Sequence, residues 1–395
     1  MTQRLVFVDL ESVMSGVEFS TLYLAQNLDR THWEPLVICP AEGELTVRCR
    51  AANIPIQVIP RSRFFSTSAR LGARTVPNPF AWAANLSALW QTARLLVEPL
   101  RQMRPDLIVP KGLLAQFYGG LAARWCRIPC VWHIQDRVSE RAGPLFPFCL
   151  GLGARWLARH VIVDAQSIAR QIQNVVGADR ISVIWNGVDL NEFSPAVGGA
   201  GVRAEWGIAP DEILIGSVSR LVPWKGQHIL LEAFARLTTD FPNVRLALVG
   251  SALFDTDAYA RHLRARANEL GLQARVLFPG YRQDTPQILA ALDIFCHSAL
   301  EKDSTPLAVV SALAAGKAIV CSAVDGTAEL FQAPENGLLF PPGDVPALTE
   351  RLTRLLRDRA LRTRLGQNAR EFAERELSVA QYAHKCESVF ARALT

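Results

Sequence analysis

Two long cations and a carboxylate stand where a parallel α/β chain binds anions. Arg220 and Lys225 follow the apolar run Ile213–Val218, which is typical of a buried strand. Asp303 comes shortly before Pro306, and an apolar segment rich in alanine and leucine follows. Because proline is favoured in the first turn of a helix, this segment is predicted to be a buried helix with a positively polarised N-terminus. Such a set of groups could bind a phosphate, with Asp303 holding sugar hydroxyls.

The same residues also allow a purely structural interpretation. Ser304 and Thr305 precede the proline, and either hydroxyl can cap the free N–H groups of an ordinary helix. A single arginine or lysine after a strand is commonly a surface charge. Both interpretations of these residues stay open at this point.

The first half of the chain offers two weaker candidates. Ser15 and Gly16 lie between an apolar run at 4–9 and a helical segment, and nucleotide-binding folds place an anion at such a turn. His133 lies near the end of the run 129–134, at the edge where open α/β sheets bind ligands. A histidine at a strand end is also frequently structural.

The predicted strands and helices that carry these residues alternate regularly along the chain. Short apolar runs alternate with helical segments throughout the chain, which predicts parallel sheets covered by helices. The predicted strands are residues 4–9, 35–40, 56–60, 106–110, 129–134, 160–164 and 181–185, then 213–218, 245–249, 276–278, 294–296 and 318–321. From residue 345 onward the pattern is helical. Residues 61–79 are predicted to be a loop.

Length and composition set the class of protein. The chain has 395 residues, half of them hydrophobic, which predicts two globular domains. We expect an α/β protein of two doubly wound Rossmann-like domains that face each other across a cleft. The run VGGAG within 189–203 is the predicted linker. The predicted domains are residues 1–195 and 196–375, with a C-terminal helix at 376–395 that packs back on the first domain.

The charge and cysteine patterns exclude several partners. The net charge of +5 comes without a dense Lys/Arg block, so we expect no nucleic-acid partner. Eight cysteines without a CxxC pair favour a reduced, cytoplasmic compartment. We find neither a signal-peptide pattern nor an apolar run long enough to span a membrane.

One helix could have a second role. Residues 80–104 carry apolar residues at helical spacing with arginines beside them, which predicts a helix packed on the sheet. The alternative is that this helix, or the basic loop before it, contacts an anionic membrane.

Four motifs in one order make the second half more specific. They are NGVD at 186–189, GSVSRLVPWKG at 216–226, ALAAGKAIVCS at 312–322 and NGLLFPPGD at 336–344. In this order and spacing the chain resembles the retaining glycosyltransferases of family 4, which have the GT-B fold. The resemblance covers nearly the whole chain and is strongest in the second domain.

The resemblance implies a role for each candidate residue. Arg220 and Lys225 would contact the diphosphate of a nucleotide-sugar donor, beside Ser219. Asp303 occupies the first acidic position of the family's Glu-x7-Glu motif and would contact the donor sugar. The second acidic position, which binds ribose in the family, is Ser311 here, so this carboxylate contact is missing. The backbone of Ser304, Thr305, Pro306 and Leu307 would bind the distal phosphate.

Five further positions match the family less closely. Tyr281 and Arg282 lie where the family recognises the base. Glu329 would bind the ribose or cap a helix, and the helix cap is our preferred interpretation. Gly16 resembles the glycine turn near the phosphates, although the usual Gly-Gly is Ser15-Gly16 here. His133 resembles the histidine that lines the donor sugar.

We therefore expect a retaining transferase that takes a sugar from a nucleotide-sugar, with UDP as the expected nucleotide. The expected acceptor is a cell-surface or lipid-linked glycan at the cytoplasmic face of the membrane. No metal or other cofactor is expected, and the Asp-x-Asp run at 255–257 is interpreted as part of a variable loop. Two alternatives are kept: a nucleotide-sugar epimerase using His133, Asp136 and Asp303, and a binding protein that lost turnover with Ser311.

Overall fold

The structure is a computed structural model that describes residues 2–66, 68–71, 74–135, 146–252, 257–301, 303–332 and 335–395. Two compact units make up the chain. The first unit is Met1–Ile184 with Tyr382–Thr395, and the second is Trp185–Gln381. Each contains a parallel sheet with helices on both faces, so the predicted class of two Rossmann-like domains is confirmed.

The first unit is built on a seven-stranded sheet. Its strand order is β3-β2-β1-β6-β7-β8-β9, and each pair is parallel. A separate antiparallel hairpin is formed by β4 and β5. The strands are β1 (Gln3–Asp9), β2 (Trp33–Cys39), β3 (Ile56–Val58), β4 (Ser68–Leu71), β5 (Arg74–Pro77), β6 (Leu107–Lys111), β7 (Val131–Ile134), β8 (His160–Val163) and β9 (Ile181–Val183). The helices are α1 (Gly16–Asn27), α2 (Glu44–Ala51), α3 (Pro79–Met103), α4 (Leu113–Cys126), α5 (Phe146–Leu157) and α6 (Gln166–Val176).

Two apolar layers enclose this sheet because successive strand residues point to opposite faces. Val6 and Val8 of β1 pack into the core beneath α3, α4, α5 and α6. Leu5 and Phe7 pack on the other face, with α1, α2 and the end of the chain.

The second unit has a six-stranded parallel sheet in the order β12-β11-β10-β13-β14-β15. Its strands are β10 (Ile213–Val218), β11 (Val244–Val249), β12 (Val276–Gly280), β13 (Ile294–His297), β14 (Ala318–Ser322) and β15 (Leu338–Phe340). The helices are α7 (Ala200–Glu205), α8 (Gln227–Leu237), α9 (Ala258–Glu269), α10 (Thr285–Ala291), α11 (Leu307–Ala314), α12 (Asp325–Glu329), α13 (Val345–Arg357), α14 (Arg359–Glu376) and α15 (Val379–Leu394). In α15, residues from Tyr382 onward belong to the first unit. Within the described ranges, no helix is long and apolar enough to cross a membrane.

Two local predictions are wrong. The predicted loop at 61–79 contains the β4–β5 hairpin, whose four-residue strands are too short to show a clear alternation. The predicted linker at 189–203 lies inside the second unit and ends in α7. It packs there because Phe193 and Val202 enter the apolar core of that unit, and Val188 pairs with Ser378. The chain passes between units at Ile184 and Trp185.

Candidate active site

The loop after β10 carries the two predicted cations of the second unit. Arg220 and Lys225 lie between the carboxyl end of β10 and the start of α8. Gln227, which is fully buried, donates hydrogen bonds from Nε2 to the Ser219 hydroxyl and the Arg220 carbonyl, both at 2.8 Å. This amide therefore fixes the backbone from which Arg220 projects.

A close backbone contact fixes the turn that carries Lys225. Gly226 has φ of +67°, and a Cβ built on it would lie 2.0 Å from the carbonyl oxygen of Ser298. The Ser298 hydroxyl donates to the Gly226 carbonyl at 3.0 Å, and the Leu300 N–H donates to the Trp224 carbonyl at 2.8 Å. Only glycine fits this turn, because both its φ and the missing side chain are required.

Lys225 forms a buried ion pair with Asp303. The Lys225 ammonium donates to both carboxylate oxygens of Asp303, at 2.8 and 2.6 Å. Nε2 of His297, at the end of β13, lies 2.6 Å from Oδ2 of the same carboxylate. All three side chains are buried. The structure thus brings together two predicted site residues and one residue that we did not predict.

Burial and charge act against each other on these three groups. Burial raises the pKa of Asp303, but the charge of Lys225 and the hydrogen bonds to it outweigh burial and hold the pKa below its usual range. Burial lowers the pKa of Lys225 and that of His297, and Asp303 opposes both shifts. Asp303 is therefore an ionised carboxylate at neutral pH.

Trp224 lies beside both cations. The Lys225 ammonium is 4.5 Å from its ring centroid, and the Arg220 guanidinium carbon is 5.5 Å from it. Cations at these distances are attracted to the aromatic face. The indole thus offsets part of the repulsion between the two positive charges of this loop.

The predicted helix after Asp303 is α11, and its first turn differs slightly from the prediction. Pro306 is the N-cap and Leu307 the first helical residue, so proline lies one position earlier than expected. The carbonyl of Thr305 accepts a hydrogen bond from Nδ2 of Asn186 at 3.0 Å, and that of Ser304 accepts one from Thr327 at 3.3 Å. These bonds orient the strand-to-helix loop at the positively polarised end of α11.

Two further predicted site residues, Ser311 and Glu329, lie on helices α11 and α12. Ser311 is buried on α11, five per cent exposed. Glu329 is the last residue of α12. At this end the Glu329 carboxylate cannot cap α12 itself, because a carboxylate accepts hydrogen bonds and the last turn of a helix lacks donors for its carbonyls. Its role as a ribose ligand or as the cap of another helix stays a prediction.

The predicted base-recognition residues follow β12. Tyr281 is 45% exposed. Arg282 forms ion pairs with Glu205 and Asp284, the latter at 2.7 Å. The Arg282 guanidinium therefore already has two carboxylate partners in its own unit. A nucleotide base that contacts Arg282 would have to use the N–H groups together with these carboxylates.

In the first unit, His133 lies in a row of buried polar side chains. Three neighbouring strands carry charged or polar residues at one level near their carboxyl ends: Asp9 of β1 pairs with Lys111 of β6, and Lys111 pairs with His133 of β7. All three side chains are buried. They stand at the carboxyl edge of the sheet, where doubly wound folds bind ligands.

Ser20 of α1 connects this row to the end of the chain. Its hydroxyl oxygen lies 2.9 Å from Nζ of Lys111, 3.0 Å from Nε2 of Gln135 and 2.7 Å from the Tyr382 hydroxyl. Because lysine and the amide nitrogen can only donate, they fill the two acceptor positions of Ser20. The Ser20 proton is then donated to Tyr382.

The pKa values in this row follow from burial. Burial lowers the pKa of Lys111 to about 8, although Asp9 opposes the shift. Burial and the nearby Glu18 raise the pKa of Asp9 well above its usual range. Burial, together with Lys111, lowers the pKa of His133 well below its usual range. His133 is thus a neutral imidazole, and among the described residues neither ring nitrogen has a hydrogen-bond partner.

Gly16 is the first residue of α1. A Cβ at this position would meet no described atom within 4 Å, so the protein itself does not require glycine there. The space beside Gly16 is compatible with the predicted phosphate turn. Asp136 and residues 255 and 256 of the Asp-x-Asp run lie outside the described residues.

His297 and Lys111 were missed by the sequence analysis. Both are polar residues that end an apolar strand, in IFCH and LIVPK. The rule that selected His133 would have selected them as well. Gln227 carried no such signal, because a glutamine in the first turn of a helix is ordinary.

Two family models match this chain in succession. The model described as Glycosyltransferase Family 4 matches residues 14–192, and the model described as Glycosyl transferases group 1 matches residues 201–372. Together they span most of both units.

Named relatives and a solved structure agree with these matches. The D-inositol 3-phosphate glycosyltransferase of Mycobacterium sp. (strain KMS) is 34% identical over 192 residues, which are 48% of this chain and only 42% of that relative. The UDP-Gal:alpha-D-GlcNAc-diphosphoundecaprenol alpha-1,3-galactosyltransferase of Escherichia coli is 24% identical over 91% of this chain and 89% of the relative. The crystal structure of Anabaena HepE in complex with UDP and glucose superposes with a TM-score of 0.82 and 27% identity, over 98% of this chain and 99% of HepE.

Proposed function

The chain belongs to family 4 of the GT-B-fold glycosyltransferases, and we propose that it transfers a sugar from a UDP-sugar to a lipid-linked or cell-surface glycan with retention of anomeric configuration. The second unit would bind the donor, and the first unit the acceptor. We place the reaction at the cytoplasmic face of the membrane.

The buried pair of Lys225 and Asp303 carries this proposal. A diphosphate that leaves a sugar gains negative charge, and fixed cations in a buried site stabilise such charge strongly. Lys225 already meets a carboxylate through two hydrogen bonds, which is the geometry in which an ammonium would meet phosphate oxygens. Arg220 and the N-terminus of α11 lie on the adjoining loops and add further positive potential.

Asp303 would have two roles in this proposal. It would accept hydrogen bonds from donor sugar hydroxyls, and it keeps Lys225 positioned before the donor arrives. His297 donates to the same carboxylate and so limits its rotation. We assign His297 as a positioning residue rather than one that touches the donor.

The chemistry needs no group from outside the chain. The bond between the anomeric carbon and the β-phosphate oxygen breaks, and the acceptor oxygen bonds to that carbon from the same face. The acceptor proton passes to the departing phosphate oxygen, and UDP leaves. Arg220, Lys225 and the helix N-terminus take the charge-stabilising part that a metal ion has in other transferases, so we propose that no metal is required.

UDP and the acceptor class are supported by related proteins. HepE has been solved with UDP, with UDP and glucose, and with UDP-glucose. The Escherichia coli relative uses UDP-Gal and an acceptor that carries diphosphoundecaprenol. These properties are proposed here for this chain by analogy.

A second candidate rests on Ser311. The family's carboxylate is absent there, so the chain could bind a nucleotide-sugar weakly without turnover. Ser311→Glu would separate the two candidates: a clear gain in UDP affinity and transfer would favour the weakened-binding protein, and no gain would favour a site rebuilt around serine.

The direct test combines binding with product analysis. UDP, GDP and ADP are each added to the purified chain at about 100 times the expected dissociation constant, which stabilises a binding protein by about 2.7 kcal/mol. We expect a thermal shift of several degrees with UDP only. UDP-sugars are then incubated with and without a lipid-linked acceptor. Acceptor-dependent release of UDP supports transfer, whereas an isomerised nucleotide-sugar formed without acceptor would support an epimerase instead.

A further inference from the structure

Helix α3 carries both buried and exposed apolar side chains. Ala93, Leu96 and Leu100 are buried in the core against the sheet, as expected for a surface helix. Trp82, Leu86 and Trp90, in the N-terminal half of the same helix, are spaced four residues apart, and each is roughly half exposed or more. Large apolar side chains are costly to leave in water.

Helix α5 repeats this arrangement. Phe148, Leu152 and Trp156 are again four residues apart, and they are 52%, 37% and 68% exposed. Leu150 and Ala154 of the same helix are buried in the core beneath it. Helices α3 and α5, on the same side of the sheet, therefore both expose large apolar side chains at a spacing of four residues. The chance exposure of one side chain would not give this spacing on two helices.

Side-chain contacts make these stripes continuous. Trp125, at the end of α4, meets Trp90 edge-on with ring centroids 6.3 Å apart. Arg124 donates to the Trp156 carbonyl at 3.4 Å, and Asn85 holds Phe65 through two backbone hydrogen bonds at 2.8 and 2.9 Å. We name the resulting patch the aromatic surface. Its members are Phe65, Trp82, Leu86, Trp90, Trp125, Phe148, Leu152 and Trp156.

Arginines accompany the aromatic residues, and carboxylates are scarce. The Arg94 guanidinium lies 4.2 Å from the ring centroid of Trp90, and that of Arg63 lies 5.5 Å from the centroid of Phe65. The sequences of α4 and α5 contain arginine but neither aspartate nor glutamate, and α3 contains a single acidic residue, Glu98. The charge around the patch is therefore complementary to an anionic partner.

We propose that the aromatic surface docks the first unit on an anionic lipid membrane. Tryptophan and phenylalanine are suited to the headgroup level, where the rings are partly dehydrated. Arginine can extend from this depth to lipid phosphates. A helix pair lying flat, with a broad apolar face and basic neighbours, is the arrangement of interfacial membrane binders. This inference does not depend on the proposed transferase activity.

The test is flotation of the full chain with vesicles of phosphatidylcholine and phosphatidylglycerol, compared with phosphatidylcholine alone. The variant is Leu86→Ser with Trp156→Ser. The matched control is Val47→Ser, which removes a side chain 64% exposed on α2, in the opposite helix layer. Arg94→Gln with Arg124→Gln tests the charge. Thermal melting of every variant monitors folding.

We expect the wild type and Val47→Ser to float with the anionic vesicles, and the Leu86/Trp156 variant to bind at least about tenfold more weakly. The arginine variant should bind the anionic vesicles less tightly, and high salt should have the same effect. If the double serine variant fails to fold, Phe148→Ser replaces it. Absence of wild-type binding at low salt overturns the proposal. So does a concentration-dependent self-association that the serine variant abolishes, because the patch would then be a contact between copies of this chain.

Discussion

The Lys225 ammonium meets both carboxylate oxygens of Asp303 in a buried pair, at 2.8 and 2.6 Å. Each of the two side chains is only nine per cent exposed. Two charges removed from water together are tolerated because each satisfies the other. A diphosphate that binds Lys225 would replace part of this interaction. The pair therefore keeps a cation available in a buried site before the ligand arrives.

Replacing Lys225 should affect turnover and folding separately. Lys225→Ala is expected to lower the rate of transfer roughly 10²- to 10³-fold, since one charge-stabilising contact is lost. It should also lower the free energy of unfolding by about 3 kcal/mol, because Asp303 is left as a buried, unpaired charge. The measurements are steady-state transfer and urea unfolding.

A double variant separates these two effects. Lys225→Ala with Asp303→Asn should recover much of the stability, because no charge remains buried, but none of the rate. Arg364→Ala, at an exposed arginine of α14, is the control and should change neither quantity. Near-wild-type transfer by Lys225→Ala would exclude this lysine from the site.

Stability should fall in mild acid because of His133. Its folded pKa lies well below the usual value, so the folded protein holds a neutral ring while the unfolded chain takes up a proton below about pH 6.5. The stabilising contribution is thus complete above the unfolded pKa and is lost as the pH falls toward the folded one. One such group lowers the free energy of unfolding by about 1.4 kcal/mol per pH unit in this window.

The pH slope can be assigned by substitution. His133→Gln should reduce the pH dependence of the free energy of unfolding between pH 6.5 and 5 by about the contribution of one proton. Urea unfolding at several pH values supplies the measurement. An unchanged slope in His133→Gln would show that the ring is protonated in the folded protein.

The strands and the main cations could be predicted from the sequence because they depend on local patterns. Twelve short apolar runs marked the strands, and Arg220 and Lys225 followed one of them directly. β15 was not predicted, because its three residues lie inside the motif at 336–344, which was interpreted only as part of the family resemblance. His297 was overlooked although it ends an apolar strand.

Other features depend on distant contacts that no local pattern records. Residues 189–203 have the composition of a linker, yet Phe193 and Val202 enter the core of the second unit. The partner of Lys225 lies 78 positions away in the chain. The helix at 80–104 was predicted to pack on the sheet, but periodicity alone does not tell how much of its apolar surface is covered.

Tyr382 should stabilise the first unit through Ser20. The Ser20 hydroxyl accepts from Lys111 and Gln135, so its own proton needs the Tyr382 oxygen. Tyr382→Phe leaves this buried donor without its acceptor and should lower the free energy of unfolding by about 1–3 kcal/mol. In the Ser20→Ala background the same substitution should cost less. Equal costs in both backgrounds would show that the two hydroxyls do not interact.

Gly226 should be intolerant of any side chain, and the chain contains a matched control. Gly226 and Gly271 have nearly the same backbone conformation, with φ of +67° and +68°. A Cβ on Gly271 would meet no described atom within 4 Å, whereas one on Gly226 would lie 2.0 Å from the Ser298 carbonyl oxygen. Gly271→Ala should therefore show only the cost of the left-handed conformation, about 1–2 kcal/mol.

Gly226→Ala should cost clearly more than Gly271→Ala, because the turn must also move away from Ser298. That movement displaces the backbone of Lys225, so transfer should fall as well, while Gly271→Ala keeps full activity. Urea unfolding and steady-state transfer on both variants give the comparison. Equal losses of stability in the two variants would mean that the contact between Gly226 and Ser298 does not hold this turn, and the positioning of Lys225 would then have to come from Asp303 alone.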